Sequence, residues 1–183
     1  MLAKVFVYAT LLAAGALGAV VPSTQLTPAN LYQTSDPLAV CEQRGIDPHG
    51  SIPSDANMVS AGTYEFTADS DASHWARAQV ALATSPESAK RQAANIGIGM
   101  WAQDGCSGQG VWVDDANYNV NYYTAVNMFS VGISYRGLRN NEHLDFSKTK
   151  GGDFCGTFTY SAGFQTPVGC FNSQLINCFR IWL

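Results

Sequence analysis

The chain has 183 residues, of which 46% are hydrophobic and only 13% charged, with 14 acidic against 10 basic side chains. That size suits one domain with a real core. The acidic balance argues against nucleic acid or an anionic membrane as partner, because both need a basic face.

Residues 1 to 19 read as a secretory signal peptide. Lys4 supplies the positive start, Val5 to Ala14 is an apolar stretch too short to span a bilayer, and Gly15, Ala16, Gly18 and Ala19 are the small residues of a cleavage region. Removing them takes Lys4 away and leaves nine basic against fourteen acidic side chains, a net charge of −5. Ile181-Trp182-Leu183 is too short for a lipid-anchor signal. The expected location is extracellular.

Residues 20 to 57 are rich in Pro, Ser, Thr, Asn and Asp, with Pro22, Pro28, Pro37, Pro48 and Pro53 recurring. Proline fixes φ and removes a donor, so the stretch reads as an extended arm with Cys41 as its tether. The domain proper is expected over residues 58 to 183. Met58 to Ala68 reads as one strand, with Tyr64 and Phe66 on a common face. Trp75 to Thr84 fits either helix or strand. Ser85-Pro86-Glu87 is a helix start, and that helix would run to about Asn95. It contains Lys90-Arg91, a dibasic pair of the kind that processing enzymes cut.

Ile96 to Trp101 reads as a strand whose alternate glycines permit close approach by another backbone. Gly105 to Gly110 reads as a flexible turn carrying Cys106. Val111 to Tyr135 reads as strand, polar turn, strand, loop, strand, with Asp114, Asp115 and Asn117 supplying the turn chemistry. Arg136 to Asn141 is a polar connection with two cations. Strands follow at Leu144 to Phe146, Phe154 to Tyr160 and Cys178 to Leu183, with a turn over Lys148 to Asp153 and a loop over Gly163 to Gly169. Short strands at this spacing predict a mostly β fold, a single antiparallel β-sandwich with one short helix.

Cys41, Cys106, Cys155, Cys170 and Cys178 remain after cleavage and should pair in an oxidising compartment, leaving one odd thiol. About 15 pairings are open. A Cys155–Cys170 bridge would close a loop of about 15 residues, worth roughly 3 kcal/mol. No CxxC occurs and the three histidines are scattered, so neither a metal site nor a cofactor is expected.

Trp112 followed by six residues and Asn119, and then Ser130-Val131-Gly132-Ile133, resembles the Greek-key motif of the βγ-crystallin-like fold. A degenerate second copy would run from Leu144 through Asp153 to Gly156 and on to Ile176 to Ile181. The family usually has Gly where Asn119 stands, and it binds calcium through residues before the Ser-containing strand. Here that place holds Ala125-Val126-Asn127 and Ser173-Gln174, without a carboxylate, so calcium binding is not carried over. Microbial members of the fold include secreted protease inhibitors and killer toxins. The chain as a whole resembles the small cysteine-containing effectors that filamentous fungi secrete.

Neither G-x-S-x-G nor H-E-x-x-H occurs, and no carboxylate pair stands out, so the chain reads as non-enzymatic. Glu142-His143 with Asp145 is the tightest titratable cluster and reads as a solvated turn, since strand neighbours face opposite ways. The expected contact surface is Tyr118, Tyr122, Tyr123, Tyr135, Arg136, Arg139 and His143, because Tyr and Arg are the side chains most enriched at binding hot spots. The expectation is therefore a monomeric virulence effector that binds a host extracellular protein and inhibits a protease or defence protein. Wall polysaccharide is the alternative partner, and a small secreted hydrolase is the third reading.

Overall fold

The structure, a computed structural model, describes residues 27–28, 36–84 and 96–183. The expected signal peptide, the arm up to residue 35 apart from two residues, the helix expected over 85–95 and its dibasic pair lie outside them. The fold is mostly antiparallel β with two helices and two disulfides. The strands are β1 (Thr27–Pro28), β2 (Asn57–Ser60), β3 (Thr63–Phe66), β4 (Gly97–Gln103), β5 (Ser107–Val113), β6 (Asn121–Ser134), β7 (His143–Lys150), β8 (Asp153–Ala162) and β9 (Gly169–Trp182). The helices are α1 (Pro37–Arg44) and α2 (Asp71–Ala83).

The strands form one hydrogen-bonded sheet in the order β2-β3-β5-β4-β6-β9-β7-β8, with β1 added to β9. The last strand returns past the β7–β8 hairpin and is inserted between β6 and β7. β6 and β9 are 14 residues each and run through both halves of the sheet. Their register slips between Tyr123 and Met128 and again between Met128 and Ser130. Such irregularities bend a strand and raise its twist. Side chains from both halves then enter one core: Ile98, Met100, Val111, Val113, Val131 and Ile133 from the first, and Leu144, Phe146, Phe179 and Ile181 from the second.

The opposite face of the first half is covered by α2, against which α1 packs. Successive strand residues point to opposite faces, so Trp101 and Trp112 leave the first core and meet Phe66, Trp75, Ala76 and Val80 in a second one. Both indoles are fully buried. The glycines of the Ile96–Trp101 stretch make this possible. A Cβ on Gly99 would lie 2.4 Å from the Trp101 ring, and one on Gly97 would lie 2.7 Å from the Trp112 ring. The close approach expected there is therefore by indole rings rather than by another backbone.

Several other expectations are corrected. Met58 to Ala68 is a hairpin, β2 and β3, turned at Gly62 with φ 71°. The two strands expected within Tyr118 to Tyr135 are one, β6. Trp75 to Thr84 belongs to helix α2, capped by the Ser70 side chain on the Ser73 N–H and by the Asp55 carboxylate on the N–H groups of Asp71 and Ala72. Two helices are described where one was expected, and α1 lies within the stretch read as an extended arm. It is started by Asp36 with Pro37 behind it and closed by Gly45 in the left-handed region. Asn119 takes φ 63° and the Ser130–Ile133 segment lies in β6.

The disulfides are Cys106–Cys170 and Cys155–Cys178. The Cys155–Cys170 bridge is not formed. Cys41 is the odd thiol, fully buried between α1 and α2, with its Sγ 3.6 Å from the His74 carbonyl. It tethers its segment by packing, not by a bond. No described helix is long and apolar enough to cross a membrane.

Candidate functional site

The connection from β6 to β7 is a loop folded around one carboxylate. Glu142 is 0% exposed. Its Oε2 accepts from Arg136 Nη1 at 2.7 Å and from the Arg139 backbone N–H at 2.6 Å. Its Oε1 accepts from Arg136 Nη2 at 2.8 Å and from the Tyr118 hydroxyl. The Arg136 fork and the carboxylate thus meet bidentately, the strong form of an ion pair. Outside this ring of contacts, buried Leu138 fixes the loop's far side through its N–H to the Thr166 carbonyl at 3.0 Å. Gly137 is pressed so close to Thr166 and Pro167 that a Cβ would lie 2.7 Å from the Thr166 carbonyl oxygen.

The electrostatics follow from that geometry. Burial alone would raise the Glu142 carboxyl, but the Arg136 guanidinium, the Arg139 N–H and the Tyr118 hydroxyl outweigh it and hold the group down at about 2. The bond to Glu142 raises the Tyr118 hydroxyl. Burial works to lower the Arg136 guanidinium, but the bond to Glu142 prevails and raises it. A carboxylate with both oxygens filled neither gives nor takes a proton near neutral pH. The cluster is a brace. The solvated turn expected at Glu142 is corrected: the residue is an internal anchor between exposed Asn141 and His143.

The residues expected to form one contact surface fall in three places. Tyr118, Arg136 and the backbone of Arg139 gather on Glu142, and the Arg139 side chain is exposed. Tyr122 is core: it is 9% exposed, stacks on Phe179 at 5.1 Å and accepts from the Asn117 N–H at 2.8 Å. Tyr135 lies on the helix side, edge-to-face with Trp112, its hydroxyl donating to Asp114 Oδ1 at 2.6 Å. Burial, then the bond to Asp114 and its charge, raises the Tyr135 hydroxyl.

Tyr123 and His143 lie on the outer face of the second half of the sheet. Register puts Tyr123 beside Cys178, with Ser147 on its far side, and Asn121 beside Arg180, with Asp145 on its far side. Tyr123 is 57% exposed and stacks on Phe154 at 5.2 Å, next to the Cys155–Cys178 bridge. His143 stacks on Trp182 at 4.5 Å, and the Trp182 indole donates to Asp145 Oδ2 at 2.7 Å. Phe154, Phe158, Arg180 and Trp182 were missed as members of this face. Period-2 alternation along β9 could have found the last two.

Among the described residues no group of three or more His, Cys, Asp or Glu could hold a metal ion. No family model, no curated protein and no solved structure matches the chain.

Proposed function

We propose that the protein acts outside the cell as a non-enzymatic effector, and that it binds and inhibits an extracellular host protein of the protease or defence class. One observation carries the reading. The Arg136–Glu142 loop is braced from within by the Glu142 carboxylate while Arg139, Asn140 and Asn141 at its tip are exposed. A loop that fills a partner's cleft gains affinity when its shape is fixed beforehand, because less freedom is lost on binding. Arginine is among the side chains that dominate such contacts. The disulfides fit an oxidising compartment.

The test is capture from host extracellular fluid with the purified chain lacking residues 1–19, beside an Arg139→Ala variant. Recovery of one host protein in near-equal amount, reduced about tenfold or more by Arg139→Ala, is the expected result. Equal recovery by both would remove the loop from the contact. Sedimentation with insoluble wall polysaccharide and no captured protein would favour the wall-binding reading.

A further inference from the structure

Register orders the outer face of the second half of the sheet into three rows that cross the strands. The first row pairs His143 with Trp182. The second runs through Asn121, Arg180 and Asp145. The third runs through Tyr123, Cys178, Ser147 and Phe158. Cys178 and Trp182 are four residues apart on β9, so the outer rows stand about 13 Å apart at the usual strand rise. Aromatic rings occupy the first and third rows, and the row between them is polar.

These groups are open to solvent and held in place. Tyr123 is 57% exposed and Phe158 60%. The Cys155–Cys178 bridge joins β8 to β9 across β7, and Phe154, next to it, stacks on Tyr123. In the first row His143 is exposed and stacks on Trp182, whose indole N–H is fixed on Asp145. In the middle row Arg180 Nη2 is 3.8 Å from Asp145 Oδ2, too far for a hydrogen bond. The side chains of Arg180 and Asn121 make no hydrogen bond to any described residue, so their donors face solvent unused.

This order is the reverse of a protein contact. Protein interfaces seal an apolar core inside a polar rim, whereas here a charged pair lies between two apolar ends. Arg180 and Asp145 offset one another, so the middle row carries no net charge to draw a polyanion or a polycation. A chain of pyranose rings matches the pattern. Each ring has C–H faces that pack on aromatic rings, and a rim of hydroxyls that pair with guanidinium, carboxylate and amide groups. The separation of the rows exceeds one sugar ring, so the fit is to a chain rather than to a monosaccharide. We propose that this face binds a neutral polysaccharide, with sugar rings seated at Tyr123 and at the His143–Trp182 pair and hydroxyls on Arg180 and Asn121. The inference is independent of the loop's proposed role.

The experiment is calorimetric titration of the chain lacking residues 1–19 with laminarihexaose, cellohexaose and chitohexaose, beside oligogalacturonate as the anionic control. Saturable binding of at least one neutral hexasaccharide, and none of the anion, is expected. Tyr123→Ala and Arg180→Ala should each weaken that binding about tenfold. Both side chains are exposed and the ion pair is a loose surface one, so melting temperature should change little. Absence of saturable binding with every neutral hexasaccharide would overturn the proposal. So would unchanged affinity in either variant, which would put the sugar elsewhere, or preference for the anion. Loss of host-protein capture in these two variants, with no sugar bound, would give the face to a protein instead. Failure of protein capture while the sugar still binds would overturn the loop's role and leave this one standing.

Discussion

Arg136 grips Glu142 with both terminal nitrogens, at 2.7 and 2.8 Å, and the carboxylate they hold has no exposed surface. Removing one partner of a buried pair leaves the other charge without compensation, which costs about 3–5 kcal/mol. Arg136→Ala should therefore lower stability by that order in urea unfolding. Arg136 was expected to be a contact residue; its fork lies on the buried Glu142 carboxylate, which makes it structural. An unchanged unfolding midpoint would show that the pair contributes little.

The same carboxyl makes stability depend on acid. Its folded value of about 2 lies below the ordinary glutamate value near 4.3. A depressed group stabilises fully above its unfolded value, and the contribution is lost as pH falls toward the folded one. Melting temperature should therefore fall between about pH 4.5 and pH 2. Glu142→Gln should flatten that window relative to the wild-type curve. Parallel curves would place the acid sensitivity elsewhere.

Gly132 sits under helix α2, where a Cβ would lie 2.6 Å from Val80 Cγ2 and 2.7 Å from the Trp101 ring. Its backbone is ordinary strand, so alanine adds volume without conformational strain. Gly132→Ala should cost roughly 1–3 kcal/mol by overpacking. Denaturant melts read the loss, and a shift in tryptophan emission would report movement of Trp101.

Cys41 is fully buried, and burial raises its thiol above the ordinary value. Raised pKa and lack of access both suppress thiolate chemistry. A thiol reagent should find no reactive group in the native chain and one per chain in denaturant. Reaction in the native state would mean that the α1–α2 contact opens readily.

Much of the β character was readable because aromatic and β-branched residues alternate where one face is buried. β4, buried on both faces, announced itself instead by Gly97 and Gly99 alternating with Ile98 and Met100. The middle of β6 did not, because Ala125, Val126 and Asn127 sit at the register slip and lose the alternation. Cys155 and Cys170 looked like partners because they are close in sequence, but strand placement decided: Cys170 lies at the start of β9, Cys178 farther along it, and they bond to different elements. Glu142 was misread for a related reason. Acids in loops are normally solvated, and nothing local reports that an Arg six positions earlier turns inward. The Arg136-to-Glu142 spacing was the available hint.

The two bridges set how the molecule survives a broken backbone. A single cleavage anywhere between Cys106 and Cys170 leaves both pieces covalently joined, so the chain would still migrate as one species without reductant. A cleavage at Lys90-Arg91 is different. Cys41 makes no bridge, so the piece carrying α1, α2 and β3 would stay in place without a covalent link, through the β3–β5 ladder and the packing of Trp75, Val80 and their neighbours. One side of the protein tolerates proteolysis by covalent topology, and the other depends on adhesion alone.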